Sequence, residues 1–183
     1  MLPFGHIAVG YLATQVLLRL TGANFSAHET SQLLLIGTTI GFIPDLDMFY
    51  TFAKVKKFFI TDIDKDDHRK YLSHIPLVWL ALGFIIYFFG TNPFTKYVGL
   101  LLWLCSWSHF IFDSLGHGIM WLWPFSTRLI ALDNRKFEED KYPRNFFGYW
   151  LSFIDEYITK ASMIFALEIL FVLTALATFW LNR

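Results

Sequence analysis

The end of the chain dictates the class of fold: Ile158–Leu181 is apolar almost throughout, with Lys160 and Glu168 its only charges. A helix needs about 20 such residues to cross the hydrocarbon core of a bilayer, and this segment is long enough. Composition agrees, with 55% hydrophobic, 20% aromatic and only 16% charged residues and a mean hydropathy of +0.45. Those values lie outside the soluble range and read as a membrane protein. A formal net charge of zero gives no sign of a nucleic-acid partner, and 183 residues suit one domain. Cys105 is the single cysteine, which excludes disulfide frameworks, CxxC redox pairs and thiolate zinc knuckles.

Four further apolar segments precede the last: about His6–Leu20, Leu33–Ile43, His74–Phe89 and Phe94–Asp113. The expected fold is therefore all-α, a polytopic integral membrane bundle of about five apolar helices. Residues 1–125 would form the core, 126–157 a polar connector with short amphipathic pieces, and 158–181 the last transmembrane helix. MLPFGHIAVGYLA lacks a basic n-region, so the first helix is expected to be retained. Asn24–Gln32 reads as a turn, and Ser73 as the N-cap of the third helix. The second segment carries Gly37 and Gly41 as a GxxxG pair, a pattern for close helix approach in lipid. Both early segments are short, and are tilted or re-entrant. Trp121, Trp123 and Phe125 look like an interfacial anchor.

Chemistry concentrates in Ser108–Gly118, SHFIFDSLGHG, where His109 and Asp113 stand four residues apart on one helical face. Burying an unpaired imidazole or carboxylate costs several kcal/mol, which a cation, a charge partner or a water-filled cavity would offset. At 1.5 Å per residue His117 would lie ~12 Å from His109, too far to share an ion. It belongs past the helix end, around the site or on a second metal.

Parity gathers the other polar residues. Each crossing flips sides, so the start of helix one, the end of two, the start of three and the end of four lie together. Those places hold His6, Asp45 with Asp47, His68 with His74, and His109 with Asp113. Lys54, Lys56, Lys57, Lys65, Arg69 and Lys70, with Arg128, Arg135, Lys136, Lys141, Arg144 and Lys160, sit on that same side. Opposite them stand only Arg19, Lys96 and Arg183, so the positive-inside rule turns the site toward the cytoplasm and the C-terminus outward.

Each residue also has a plainer reading. His6 alone could be an interfacial histidine, and Asp45 and Asp47 a helix stop after Pro44, although carboxylates at a helix C-terminus oppose the macrodipole. His68 could be solvated in its charged loop, and His109 and Asp113 could satisfy each other. His28 falls in the opposite turn and reads as surface. Glu168 lies about 15 Å inside the last helix, protonated, paired within the bundle or supporting the site from a distance.

Together, His6 with Gly10, GFIPDLD, DHRKYLSH and SHFIFDSLGHG running into WLWPF resemble the YdjM-like family of predicted inner-membrane metal-dependent hydrolases. That family is distantly similar to the zinc-dependent phospholipase C and P1 nuclease group. The resemblance covers the chain to about Phe125 and implies metal ligation by His6, Asp45, His68, His74, His109 and Asp113, with Asp47 and Arg69 close by. It also implies a bacterial or archaeal inner membrane. In HRKYLSH the two histidines stand one residue farther apart than in the family form.

Carboxylates and imidazoles without thiolate suit Zn²⁺, with Mn²⁺ or Fe²⁺ as alternatives, and six ligands exceed what one four-coordinate ion needs. Two ions are expected. They would activate a water for hydrolysis of a phosphoester or ester in a lipid-like substrate, with Asp47 as general base or bridging carboxylate and Arg69 stabilising developing charge. The rivals are a metal or proton transporter, and a scaffold with a structural metal. Transport sites lie near the bilayer midplane on broken helices, whereas these residues sit at helix ends.

Overall fold

The computed structural model describes residues 2–59, 67–133, 137–138 and 141–182. Lys65, Arg135, Lys136 and Arg183, counted above, lie outside them. The protein is helical, with one isolated bridge between Ile119 and Ile130 and no named strand among the described residues. We number the helices α1 (Pro3–Thr21), α2 (Ala27–Phe42), α3 (Asp47–Val55), α4 (Pro76–Phe89), α5 (Pro93–Asp113), α6 (Phe146–Lys160) and α7 (Ser162–Leu181). Three 3-10 turns, Ile43–Leu46, His68–Lys70 and Leu72–His74, join the ends that carry the chemistry.

Local signals explain most boundaries. Proline opens α1, α4 and α5, where its missing N–H is no loss. Gly22, at φ 60°, ends α1 in the left-handed conformation, where an added side chain would be strained. The expected turn at Asn24–Gln32 is largely helix, because Ser26 and Glu29 form a reciprocal capping box and start α2 at Ala27. Ser73 caps no helix: α4 begins at Pro76 behind an uncapped Ile75, and the Ser73 hydroxyl bonds Asp47 instead. The last apolar stretch is also broken, at Ala161, which separates α6 from α7.

Glycines set the spacing of the bundle. A Cβ on Gly10 would lie 2.6 Å from the Gly37 carbonyl oxygen, and one on Gly41 would lie 2.7 Å from the His6 carbonyl. The contact that presses α1 onto α2 therefore tolerates no side chain, the purpose small residues serve where two helices meet. Gly83 and Gly99 do the same between α4 and α5. Leu33, Ile40, Trp79, Leu101, Cys105 and Phe110 fill the core between them.

Pairs of contacts fix direction. Leu2 N–H bonds Glu168 and Arg19 bonds Asn182, so α1 and α7 run parallel. Gly37 faces Cys105 while Gly41 meets His109, so α2 and α5 run parallel too. The start of α1, the end of α2, the start of α4 and the end of α5 consequently share one end of the bundle.

Among the described residues, two helical stretches are long and apolar enough to cross a membrane: Ala27–Val55, which is α2 continued through the turn into α3, and Ser162–Leu181. Five were expected. Gln15 and Arg19 dilute α1, Lys96, Ser106, Ser108, His109 and Asp113 dilute α5, and α4 has only 14 residues. Large apolar side chains nevertheless cover the outside of the helices, including Leu20, Leu35, Phe88, Phe89, Leu173 and Leu181, while His6, His74, His109, Asp113 and Glu168 lie within.

Candidate metal centre

Four imidazoles and two carboxylates meet at the shared end of the bundle. His6 comes from the first turns of α1, Asp45 from the Ile43–Leu46 turn, His68 and His74 from the next two turns, and His109 and Asp113 from the last turns of α5. All six are buried. The wider spacing of HRKYLSH is absorbed by its two consecutive 3-10 turns, which aim both histidines inward.

Asp45 is the hub. Its Oδ1 lies 3.6 Å from His109 Nε2, 3.7 Å from His74 Nε2 and 3.9 Å from His68 Nε2, and its Oδ2 lies 3.9 Å from His6 Nε2. Asp113 closes the other side, with Oδ1 3.1 Å from His6 Nε2 and Oδ2 3.6 Å from His109 Nε2. Among the described residues, two groups emerge whose ligand atoms lie within 4.8 Å of one another: His6, Asp45, His109 and Asp113, and Asp45, His68 and His74. Asp45 belongs to both, placed as a bridging carboxylate would be.

Protons on two histidines are fixed from outside the cluster. His109 Nδ1 is 2.8 Å from the Gly41 carbonyl oxygen, an acceptor only, so Nδ1 carries the hydrogen. His74 Nδ1 likewise donates to Asp47 Oδ2 at 2.7 Å. Each Nε2 is thereby left to the interior, and the two stand 3.4 Å apart. Two bare lone pairs at that distance repel unless a proton or a cation lies between them. Burial would by itself lower the His74 pKa, but the Asp45 and Asp47 carboxylates outweigh it and hold it at about 9. The proton they retain is the one a metal would displace. His68 goes the other way: burial, with Arg69 beside it, keeps it well below the ordinary histidine range and hence neutral.

These residues fit a divalent cation. His6 Nδ1, His68 Nδ1 and Asp45 Oδ2 are buried with no hydrogen-bond partner among the described residues, and the donor set is nitrogen and oxygen without sulfur. Asp47, expected as general base or bridging carboxylate, stands in neither group. It is held by Ser73 and His74 and fixes the orientation of the His74 ring. Arg69 lies at the edge, with Nη1 3.2 Å from Asp67 and Nε 3.8 Å from Asp113. His117 lies past α5 and stacks on Phe137 at 4.9 Å. Burial pushes its pKa well down, and it joins neither group. Glu168 is bonded elsewhere, to Leu2 N–H at 2.7 Å and the Tyr157 hydroxyl at 2.5 Å.

Sequence reasoning missed three parts of this arrangement. Ser73 was assigned to a helix cap, the Gly41 carbonyl is main chain and has no residue signature, and Tyr157 was absorbed in the polar connector. Only Tyr157 had a readable signal, since a helical wheel places it with Tyr149, Phe153 and Glu156 on one face.

The family model for the YdjM inner membrane protein matches residues 1–183. The chain belongs to that family. No curated protein and no solved structure matches it. Membership makes the chain a member of an inner membrane protein family, so a lipid bilayer is its surrounding.

Proposed function

We propose that the protein is a multi-pass, metal-dependent hydrolase of the inner membrane, acting at the cytoplasmic face on a phosphoester or ester of a lipid-like substrate. The observation that carries the reading is the pair of inward Nε2 atoms on His74 and His109, held by Asp47 and the Gly41 carbonyl and facing Asp45 across the cluster. Such outer partners, which fix tautomer and ring orientation, accompany metal-ligating histidines. His6, His109 and Asp113 would hold one ion, His68 and His74 the other, and Asp45 both. Zinc suits the donors best, with manganese or iron as alternatives. A divalent ion supplies Lewis acidity, which acidifies water and polarises an ester or phosphoryl oxygen.

The remaining chemistry belongs to the chain. Asp47 keeps the His74 ring turned with Nε2 inward. Arg69 offers a guanidinium at the rim for an anionic substrate oxygen, tethered by Asp67. Burial of all six donors keeps bulk water away from them and raises the worth of each charge. A distant kinship with zinc-dependent phospholipase C and P1 nuclease is part of the same proposal and rests on the His/Asp donor set alone.

The burial of all six donors supports a second reading, a structural ion tying four segments together. The transporter reading wants a polar path to Glu168, whose own hydrogen bonds run to Leu2 and Tyr157 instead. The test is elemental analysis of detergent-purified protein beside His109→Ala and Asp113→Ala, followed by a phosphoester and ester screen. Two ions per chain, lost in the variants together with hydrolysis, are expected. Bound metal with no hydrolysis of any substrate favours the structural ion, and a folded protein without metal overturns both.

A further inference from the structure

Helix α6 presents three distinct faces. Phe147, Leu151, Ile154 and Ile158 are 75%, 67%, 43% and 42% exposed. At 100° per residue they fall within about 60° of arc, a single apolar stripe along the whole helix. Beside it lie Gly148, Ser152, Asp155 and Thr159, which form a polar strip. Opposite, Tyr149, Phe153, Glu156 and Tyr157 pack inward.

The helix does not continue the axis of α7. Its final turn bonds α7 through Tyr157 and Glu168, while its first turns reach α3 and the chain after it: Trp150 Nε1–H donates to the Phe58 carbonyl at 2.9 Å, and Trp150 and Phe146 lie edge-on to Phe52 and Phe58. Helix α6 thus spans the end of the bundle that carries the metal cluster, from α7 to α3. A water-facing helix has no use for four outward apolar residues in register, and a helix immersed in hydrocarbon would not carry Ser152, Asp155 and Thr159 beside them.

We propose that α6 is a membrane-surface helix, lying in the plane of the bilayer with Phe147, Leu151, Ile154 and Ile158 in the acyl chains just beneath the headgroups and Ser152, Asp155 and Thr159 toward water. Three observations select lipid as the occupant. The stripe runs on at Ala161 into the apolar outside of α7, where Met163, Leu170 and Leu173 are exposed. Trp150, with an apolar ring and its N–H satisfied, is a residue type favoured at this depth. On the neighbouring α3, Phe49 and Tyr50 are exposed beside the exposed cations Lys54, Lys56 and Lys57, which complement anionic headgroups. The rim of the cluster at Asp45, His68 and Arg69 then lies at headgroup depth. The inference rests on residence in the membrane and stands whether or not the cluster hydrolyses anything.

The test places single cysteines at positions 147–159, spin-labels them in nanodiscs of phosphatidylethanolamine and phosphatidylglycerol, and reads collision with oxygen, which concentrates in lipid, and with a water-soluble nickel chelate. Cys105 is fully buried and stays in place, the labelled parent serving as blank. The expected result is an oscillation of about 3.6 residues in both, with oxygen highest at 147, 151, 154 and 158, nickel highest at 148, 152, 155 and 159, and the two maxima offset by about 100° around the helix. Nickel and oxygen rising together on the stripe would overturn the proposal in favour of a water-exposed face. Low values of both with spin–spin broadening between labels would overturn it in favour of a second copy of the chain.

Discussion

The protein buries polar groups in two neighbouring places, and they are built on opposite rules. Around Glu168 donors meet acceptors: Leu2 N–H and the Tyr157 hydroxyl both give hydrogens to the same carboxylate oxygen. Around Asp45 lone pairs outnumber hydrogens: His6 Nε2 donates to Asp113 Oδ1 at 3.1 Å, while the Nδ1 hydrogens of His74 and His109 are drawn outward to Asp47 and Gly41. The bonds from Leu2 and Tyr157 satisfy Oε1 and contribute about 1–3 kcal/mol each in such surroundings, while Oε2 has no hydrogen-bond partner among the described residues. A gathering of lone pairs is incomplete, and calls for a positive charge. Burial and residue type alone would not separate the two places; the direction of each hydrogen does.

The contrast breaks most sharply at Asp45. Asp45→Ala should remove all bound metal, because the residue serves both ligand groups, whereas His68→Ala should leave the His6–His109–Asp113 ion; metal-to-protein ratios by plasma mass spectrometry read the difference. Next comes Asp47→Ala, which releases the hold on His74 and should weaken metal binding by about 10–100-fold without abolishing it, as chelator competition would show. Gly41→Ala forces α1 and α2 apart at the His6 carbonyl and should cost about 1–3 kcal/mol of stability, read as a lowered Tm, with looser metal binding.

A subtler distinction is in pH. In metal-free protein the His74 pKa is raised above its ordinary 6.5 to about 9, so its stabilising contribution is whole below 6.5 and lost as pH rises through 9. Metal needs that nitrogen unprotonated, so affinity should climb across the same window. Thermal melts with and without chelator should therefore slope in opposite directions between those values. Smallest is Glu168→Gln, which retains an acceptor oxygen for Leu2 and Tyr157: metal content should not change, while Glu168→Ala should lower the melting temperature. Metal loss in Glu168→Gln would erase the distinction between the two places.

Much of the candidate site could be read from the chain because alternation of helix direction is a strict constraint. Once His6, Asp45, His74 and His109 were placed at helix ends, alternation of direction required those ends to meet. What could not be read was the rotation of each side chain about its element. Asp45 and Asp47 are two residues apart in IPDLD, and only the tight turn at Ile43–Leu46 decides that Asp45 faces the histidines while Asp47 turns to Ser73. The fold was legible to the same depth. Apolar runs marked helices, but α6 hid in a connector because its apolar stripe is interleaved with Ser152, Asp155 and Thr159, which lower any average along the chain. Glu29 hid the start of α2, since a charged residue inside NFSAHETSQ suggests a loop until it is seen as the partner of Ser26.

The hydrogen bond from His109 to Gly41 has an evolutionary side. Its acceptor is a main-chain carbonyl in the last turn of α2, where helical partners run out. No codon change at position 41 can delete a carbonyl, whereas one base can convert Asp47 to alanine. One histidine of the cluster is therefore aimed by something mutation cannot erase, only displace, and its neighbour by something that a single base change removes. Drift in descendants of this chain should accordingly be tolerated at the His74 support before it is tolerated in the packing of α2 against α5.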